Sequence, residues 1–330
     1  MSGQSSRMNK MFKAAALVGT LAFMGTGCTK QDFGLPDSSQ EFGATVTYNN
    51  KVDIVLMVDN SSSMVQYQNK FANEVPQMIA SLNSMGLDYH IAVVTSDMRS
   101  AGNGGRFIGS PRYLTSGSSN LVQTLQSRVN VGQNGSDLER GLESLKAVMQ
   151  PAYLQGEGAG FFRDDALLAM IVLTNEDDYS AESTNSFIDY FDTLKPPFKG
   201  TTKAWTMNFI GVVSIGGECS TTADFKEAGL RYMALSDYTG GIKESVCKSS
   251  LATAVSNVRA RIVEILSEYY LDRTPNLATI QVRINGNLIP QNATNGWSYS
   301  SARNSIRFHG SALPGANDRV NVDYTPAEGT

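Results

Sequence analysis

The sequence predicts an α/β protein with a doubly wound, mostly parallel sheet covered by helices on both faces, followed by a small C-terminal all-β module. Between residues 51 and 271, predicted strands alternate with predicted helices. Several of these strands are nearly continuous apolar runs, which is typical of strands buried on both faces. Between residues 272 and 330, apolar residues instead alternate with polar ones over short runs, which favours exposed antiparallel strands.

The strands predicted in the α/β body share long apolar runs, at residues 52–58, 89–96, 166–174 and 205–214. Apolar residues at helical spacing predict helices at residues 64–82, 138–149 and 251–269. In open parallel sheets, ligands bind beyond the carboxyl ends of the strands. Polar residues that directly follow these strands are therefore the first candidates for a functional site.

The C-terminal module is predicted from short alternating runs and one turn. Ile280, Val282 and Ile284 alternate with polar residues and are followed by Asn285-Gly286, a pair that favours a tight hairpin. Further short strands are predicted at residues 297–299, 305–308 and 320–324.

Composition excludes several classes of protein. The chain of 330 residues is 41% hydrophobic and 18% charged, enough to build a sizeable core. A formal charge of −4 argues against a basic nucleic-acid-binding protein, so no nucleic acid partner is expected. Two histidines and three cysteines leave little material for a zinc cluster or a Cys/His hydrolase.

Residues 1–27 are predicted to be a signal peptide. A basic segment without acidic residues precedes a short apolar run at 14–24, and small residues at 25–27 lead to Cys28. This arrangement resembles the lipobox of bacterial lipoproteins, in which the cysteine is acylated, for example with palmitate, and becomes the new N-terminus. The resemblance implies anchorage to a membrane through lipid, without a spanning helix. A plain signal peptide with an incidental cysteine is the alternative.

A flexible tether is predicted at residues 28–50, which are rich in Ser, Gly, Asp, Asn and Gln. Thr29 follows Cys28, and the sorting tendency of enteric lipoproteins then favours the outer membrane, within the cell envelope. Export would place Cys219 and Cys247 in an oxidising compartment, where a disulfide is their simplest use. Two independent buried thiols are the alternative.

The strongest candidate site follows the first predicted strand. Asp59, Ser61 and Ser63 alternate along the chain, so their oxygen atoms can converge if the turn is sharp. One carboxylate and two hydroxyls are hard donors that suit Mg²⁺ or Ca²⁺. The alternative is that these side chains only cap the helix that follows.

This Asp-x-Ser-x-Ser segment resembles the metal-ion-dependent adhesion site of the von Willebrand factor type A domain, and the resemblance covers about residues 50–270. The family adds a threonine from a loop before a helix, and Ser136 stands at that position here. It also adds an aspartate just past a buried strand, where this chain has Asn175. Asp177 or Asp178 could replace that aspartate, or Asn175 could act through its carbonyl oxygen or a water molecule.

The resemblance implies binding rather than catalysis. A divalent cation, Mg²⁺ in first place with Ca²⁺ or Mn²⁺ as alternatives, would accept an acidic side chain from a protein partner, as the family's ligands do. The alternative function is a metal-independent structural scaffold of the cell envelope. A hydrolase is disfavoured because no base is placed beside a nucleophile.

Overall fold

The computed structural model describes residues 38–42, 50–99, 104–197, 203–220, 226–314 and 318–327. The predicted signal peptide, Cys28 and most of the predicted tether lie outside these residues. The strands are β1 Ser38–Phe42, β2 Lys51–Val58, β3 Asp88–Thr95, β4 Leu114–Thr115, β5 Leu167–Leu173, β6 Trp205–Gly211, β7 Lys243–Ser245, β8 Glu268–Tyr270, β9 Gln281–Ile284, β10 Asn287–Ile289, β11 Gly296–Ser300, β12 Ser305–His309 and β13 Val320–Tyr324. The helices are α1 Val65–Ser84, α2 Leu121–Val129, α3 Gly141–Ala147, α4 Pro151–Leu154, α5 Thr184–Leu194, α6 Leu230–Thr239 and α7 Ala252–Leu266.

The main sheet has six strands in the order β4-β3-β2-β5-β6-β7. All neighbouring pairs are parallel except β4 with β3, which is antiparallel. The strand order reverses between β3 and β5, on the two sides of β2. This is the predicted doubly wound sheet, and its carboxyl edge beside β2 is the place where a ligand site is expected.

Helices cover both faces of this sheet because side chains of successive strand residues point in opposite directions. In β2, Ile54 and Leu56 pack into the core shared with α1, α2 and α7. Val55 and Met57 pack into the other core, with α3, α5 and α6. Burial on both sides explains why the predicted strands are continuous apolar runs rather than alternating ones.

Two predicted helices differ at their ends from what the spacing indicates. The helix predicted at 138–149 begins at Gly141, and Leu138 lies in the preceding loop with 53% of its surface exposed. The helix predicted at 251–269 ends at Leu266, and Tyr269 belongs to β8. In both cases an apolar residue extends the helical spacing by chance beyond the residues whose backbone is helical.

The C-terminal module contains two antiparallel sheets, with strand orders β1-β13-β9-β10 and β11-β12-β8. The predicted hairpin is confirmed, since β9 pairs with β10 and the turn places Asn285 and Gly286 at φ values of 52° and 83°. Both values lie in the left-handed region that a two-residue hairpin turn of this kind requires.

Two segments join the module from outside the predicted bounds of 272–330. Strand β8 ends the helical body and pairs with β12. Strand β1 lies inside the segment predicted as a flexible tether and pairs along its whole length with β13. A composition rich in small polar residues did not reveal this strand, because backbone pairing needs no particular side chain on an edge strand.

The predicted disulfide is present. Cys219, in the loop after β6, is bonded to Cys247, just before α7, with a Cα–Cα distance of 5.3 Å. Among the described helices, none combines the length and the apolar character needed to cross a bilayer.

Candidate metal centre

Asp59 is the first residue after β2 and is fully buried at the carboxyl edge of the sheet. Its backbone N–H donates to the Leu173 carbonyl at the end of β5 (3.0 Å), which places it between two parallel strands. Its Oδ1 accepts the Ser61 N–H at 2.8 Å and lies 3.4 Å from the Ser96 hydroxyl. Its Oδ2 accepts the Thr174 hydroxyl at 2.7 Å. The Asp59 carboxylate is thus held by contacts at the ends of β2, β3 and β5.

The two motif serines lie beside Asn175. The Ser61 and Ser63 hydroxyl oxygens are 3.4 Å apart. The Asn175 side-chain amide lies within hydrogen-bonding distance of the Ser63 hydroxyl, with Nδ2–Oγ at 3.0 Å. Four predicted residues, Asp59 included, therefore form one connected group of oxygen-bearing side chains.

The side chain of the N-cap residue does not cap α1. That residue is Met64, and its side chain accepts no hydrogen bond from the backbone N–H groups there. The Ser61 carbonyl accepts the Met64 N–H at 3.2 Å, and the hydroxyls of the motif serines contact each other and Asn175. The helix-capping alternative for Asp59, Ser61 and Ser63 stays a prediction that these contacts do not favour.

Backbone contacts bring the Ser136 loop against the motif. The Gly135 N–H donates to the Asn60 carbonyl at 2.7 Å, and Arg99 donates to the Asn134 carbonyl at 3.0 Å. A Cβ atom on Gly135 would lie 2.4 Å from the Asn60 Oδ1, so only glycine allows this close approach. Ser136, half-buried, follows directly, so the loop reaches the site through its backbone.

The Ser136 hydroxyl accepts the Leu138 N–H at 3.1 Å. Two residues further on, the Arg140 N–H donates to the Ser96 carbonyl at 3.0 Å. Ser96 also contacts Asp59, so the loop is held at both ends to residues of the site. Coordination of an ion by Ser136 stays a prediction that this placement favours.

Asp177 and Asp178, the candidate substitutes for an aspartate at position 175, serve other elements. Asp177 accepts the Arg231 N–H in the first turn of α6 at 2.9 Å. Asp178 accepts the Leu142 N–H in α3 at 2.9 Å and forms an ion pair with Arg231. Both carboxylates are engaged in holding helix ends, because unpaired N–H groups at helix N-termini attract acidic side chains. Asp177 as a ligand stays a prediction that the geometry does not favour.

Burial dominates the electrostatics of the site. Removal from water raises the pKa of Asp59, and hydrogen bonds from the Ser61 amide and the Thr174 hydroxyl partly oppose this. Burial also raises the pKa of Glu139 and of Glu176, and the charge of Asp59 raises both further. Without a cation these carboxyl groups therefore hold their protons more tightly than usual, and a bound cation would favour their ionised form.

Sequence reasoning missed Ser96, Thr174, Glu139 and Glu176 as members of this region. Ser96 and Thr174 are the last residues of the strands predicted at 89–96 and 166–174, and in the structure they directly follow β3 and β5, as Asp59 follows β2. Applying the strand-end rule to the end of every strand would have found them. Glu139 gave no signal, because it falls inside the helix predicted at 138–149, where a single charged residue reads as part of the solvated face.

The donor set fits a hard cation. Its atoms are carboxylate, hydroxyl and amide oxygens, the ligands that Mg²⁺ and Ca²⁺ prefer. Within the described ranges no group of three Asp, Glu, His or Cys side chains is arranged to hold a metal, so the hydroxyls are needed. Asn60 Oδ1 and both carboxyl oxygens of Glu139 are buried without a hydrogen-bond partner in the described residues. Buried acceptors without donors are what a cation site contains when the ion is left out.

No family model and no curated protein matches the chain. Several solved structures are similar to it at low identity. One is a von Willebrand factor type A protein from Catenulispora acidiphila, with 13% identity and a TM-score of 0.38, covering 92% of this chain and 68% of that one.

A second is proximal thread matrix protein 1 from the mussel byssus with a zinc-occupied MIDAS motif, at 10% identity and a TM-score of 0.38, covering 68% of this chain and 50% of that one. A third is the pilus adhesin SpaC from Lactobacillus rhamnosus GG, at 12% identity and a TM-score of 0.42, covering 83% of this chain and 38% of that one. The chain thus spans only half or less of the mussel and Lactobacillus proteins. At these identities and TM-scores, function has to be inferred from the residues around Asp59 themselves.

Proposed function

We propose that this chain is a metal-dependent protein-binding module of the adhesion type. A divalent cation, Mg²⁺ in first place, is held by oxygen atoms of Asp59, Ser61, Ser63 and Ser136, and it binds an acidic side chain of a protein partner. When bound, the ion supplies a positive charge with an open position for that carboxylate. The observation that carries the proposal is the cluster of Asp59, Ser61, Ser63 and Asn175 side chains at the carboxyl edge of the sheet.

The protein's own residues prepare the site in a defined way. Thr174 and the Ser61 amide fix the Asp59 carboxylate in one orientation. Gln68 donates to the Asp59 carbonyl and to the Gly132 carbonyl, each at 2.8 Å, which fixes the backbone of the motif to the neighbouring loop. A rigid set of oxygens lowers the entropy lost on binding an ion.

Exposed apolar side chains at the same edge favour a protein as the partner. Their exposed fractions run from 37% to 64%. Four of them follow the carboxyl ends of β2, β5 or β6, and the fifth lies in the Ser136 loop: Val65, Tyr179, Ile215, Leu230 and Leu138. Apolar residues around a polar centre are typical of protein-binding surfaces. Neither histidine lies in the site, since His90 bonds the Phe161 carbonyl and His309 bonds the Ser298 hydroxyl. Binding without catalysis is therefore part of the proposal.

Isothermal titration of the folded protein with Mg²⁺, Mn²⁺ and Ca²⁺ tests the cation site. We expect saturable binding of one ion, lost in Asp59→Ala. Asp53→Asn is a matched control, because Asp53 is equally buried but pairs with Arg163 near the beginning of the same strand. No binding at millimolar metal, or equal binding by Asp59→Ala, would remove the proposal.

The partner is tested by capture from an envelope extract with and without a chelator. Binding that disappears with EDTA and returns with Mg²⁺ supports the cation-mediated contact. Binding that EDTA leaves unchanged identifies the chain as a metal-independent envelope scaffold.

We further propose that lipid on Cys28 anchors the module to the cell envelope, with the outer membrane as the favoured location. The motif at residues 14–28 supports this. Cys28→Ser should move the expressed protein from the membrane fraction to the soluble fraction and abolish labelling with a palmitate analogue. Unchanged fractionation and labelling would contradict lipidation.

A further inference from the structure

In the part of the chain that the structure describes, Glu139 is fully buried and neither of its carboxyl oxygens meets a hydrogen-bond donor of regular geometry. Two backbone hydrogen bonds hold the chain at Glu139 to the segments that follow β3 and β5. The Tyr179 N–H donates to the Glu139 carbonyl at 2.7 Å, and the next residue, Arg140, donates to the Ser96 carbonyl at 3.0 Å. The backbone at Glu139 is thus held between the end of β3 and the segment that follows β5, and its carboxyl group interacts electrostatically with that of Asp59.

The groups that face Glu139 add charge of the same sign. Its carboxyl group lies against that of Glu176, which is 7% exposed, and both carboxyl groups interact electrostatically with Asp59. No ion pair joins Glu139 or Glu176 to a basic side chain among the described residues, and the nearest basic neighbour in sequence, Arg140, pairs with Glu143. Buried carboxylates are costly unless a cation or donor compensates them.

We propose that Glu139 supplies the second negative charge of the cation site, in place of the aspartate that the von Willebrand factor type A resemblance leads one to expect at position 175. This inference rests on the proposed function. Asn175 is neutral, and Asp177 and Asp178 are engaged at helix ends. Among the described residues, both carboxyl oxygens of Glu139 are buried without a regular hydrogen bond, and the Glu176 carboxyl group is their polar neighbour.

A second carboxylate near the ion matters because a divalent charge is poorly tolerated in a buried site with a single anion. Glu139 can act at the ion directly or through a water molecule, and Glu176 shares the anionic charge with it. The two negative charges of the site are then supplied by Asp59, at the end of β2, and by Glu139, in the Ser136 loop. The same loop thereby provides both the fourth hydroxyl and the compensating charge.

The test compares cation binding by wild type, Glu139→Gln and Asp137→Asn in titrations of the folded protein with Mg²⁺ and Mn²⁺. Asp137 is an exposed acid in the same loop, so its substitution is a matched control for the loss of one nearby charge. We expect Glu139→Gln to weaken binding at least ten-fold and Asp137→Asn to change it less than two-fold. In Glu139→Gln, Asn175→Asp should restore most of the affinity.

A second readout separates charge compensation from folding. Without metal, Glu139→Gln should melt at the same temperature as wild type or higher, because the amide matches the carboxyl group in shape and can donate to Glu176. With millimolar Mg²⁺ wild type should gain more in melting temperature than the variant.

Three outcomes overturn the inference. If Glu139→Gln binds as wild type does while Asp59→Ala does not bind, Glu139 has no role and the proposed function stands. If Asp137→Asn weakens binding as much, or Asn175→Asp restores nothing, the effect is not that of a local compensating charge. If wild type binds neither ion, the inference falls together with the proposed function.

Discussion

The groups around Asp59 come from three separate stretches of the chain, at residues 59–63, 96 and 174. Asp59, Ser61 and Ser63 lie two residues apart, so a local motif is enough to predict them. Thr174 and Ser96 reach the same carboxylate from the ends of β5 and β3. Their contribution depends on which strands flank β2, which a local pattern does not contain.

The close approach at Gly135 gives a prediction at the scale of single residues. Gly135→Ala places a Cβ 2.4 Å from Asn60 Oδ1 and 2.6 Å from the Asn60 carbonyl oxygen, so the Ser136 loop must shift. We expect a loss of about 1–3 kcal/mol in unfolding free energy, as for other overpacked sites, and weaker cation binding. Urea denaturation and metal titration measure the two effects.

Gly117→Ala is the control, because a Cβ there meets only the Thr115 hydroxyl at 3.8 Å. Equal behaviour of the two variants would show that the close approach at Asn60 does not matter.

A second prediction tests whether the Asp177 carboxylate has a structural role or binds the ion. Asp177→Ala removes the acceptor of the Arg231 N–H at the start of α6. The loss should cost about 1 kcal/mol of unfolding free energy, as for lost helix caps, and leave metal affinity within two-fold of wild type. A variant of unchanged stability that no longer binds the ion would instead make Asp177 a ligand.

At the scale of elements, the buried strands were the most predictable part of the fold. Burial on both faces forces a continuous apolar run, and β2, β3, β5 and β6 all carry one. The sequence did not reveal α2, α5 and α6, which bury only a few side chains each against a sheet face. Strand β1 was hidden for another reason, since its partner β13 lies almost at the other end of the chain.

Lys195, at the C-terminal end of α5, links that helix to the segment before β5. Its buried ammonium donates to the Arg163 carbonyl at 2.9 Å and to the Asp164 carbonyl at 3.0 Å. Burial lowers its pKa to about 8. The unfolded chain therefore binds this proton more tightly than the folded protein does, and stability should rise with pH from about 8 to the ordinary lysine pKa near 10.4.

The measurement is the unfolding free energy of wild type minus that of Lys195→Met at each pH. The difference should grow in favour of wild type by at most about 3 kcal/mol across that window. A difference that is flat or falls with pH would show that Lys195 is not destabilised by burial in its charged form.

At the scale of the whole molecule, the disulfide links the loop after β6 to the segment that leads into α7. It closes a loop with a sequence separation of 28 residues. In the chain-entropy account, a loop of that size stabilises the folded state by about 3–4 kcal/mol. The double variant Cys219→Ser/Cys247→Ser should lose that amount in urea denaturation, and reduced wild type should match it. No difference between oxidised and reduced wild type would contradict the stabilising role.

The pairing of β1 with β13 has a mechanical consequence. Ser38 lies opposite Tyr324, and Phe42 lies opposite Val320. The N-terminal end of β1 and the C-terminal end of β13 therefore lie at the same end of the paired strands. A pull applied to the two chain termini would break these hydrogen bonds one after another, starting at Ser38. Hydrogen bonds that break one at a time resist only a low force. The freed length of β1 would then extend any N-terminal attachment before the main sheet carries load.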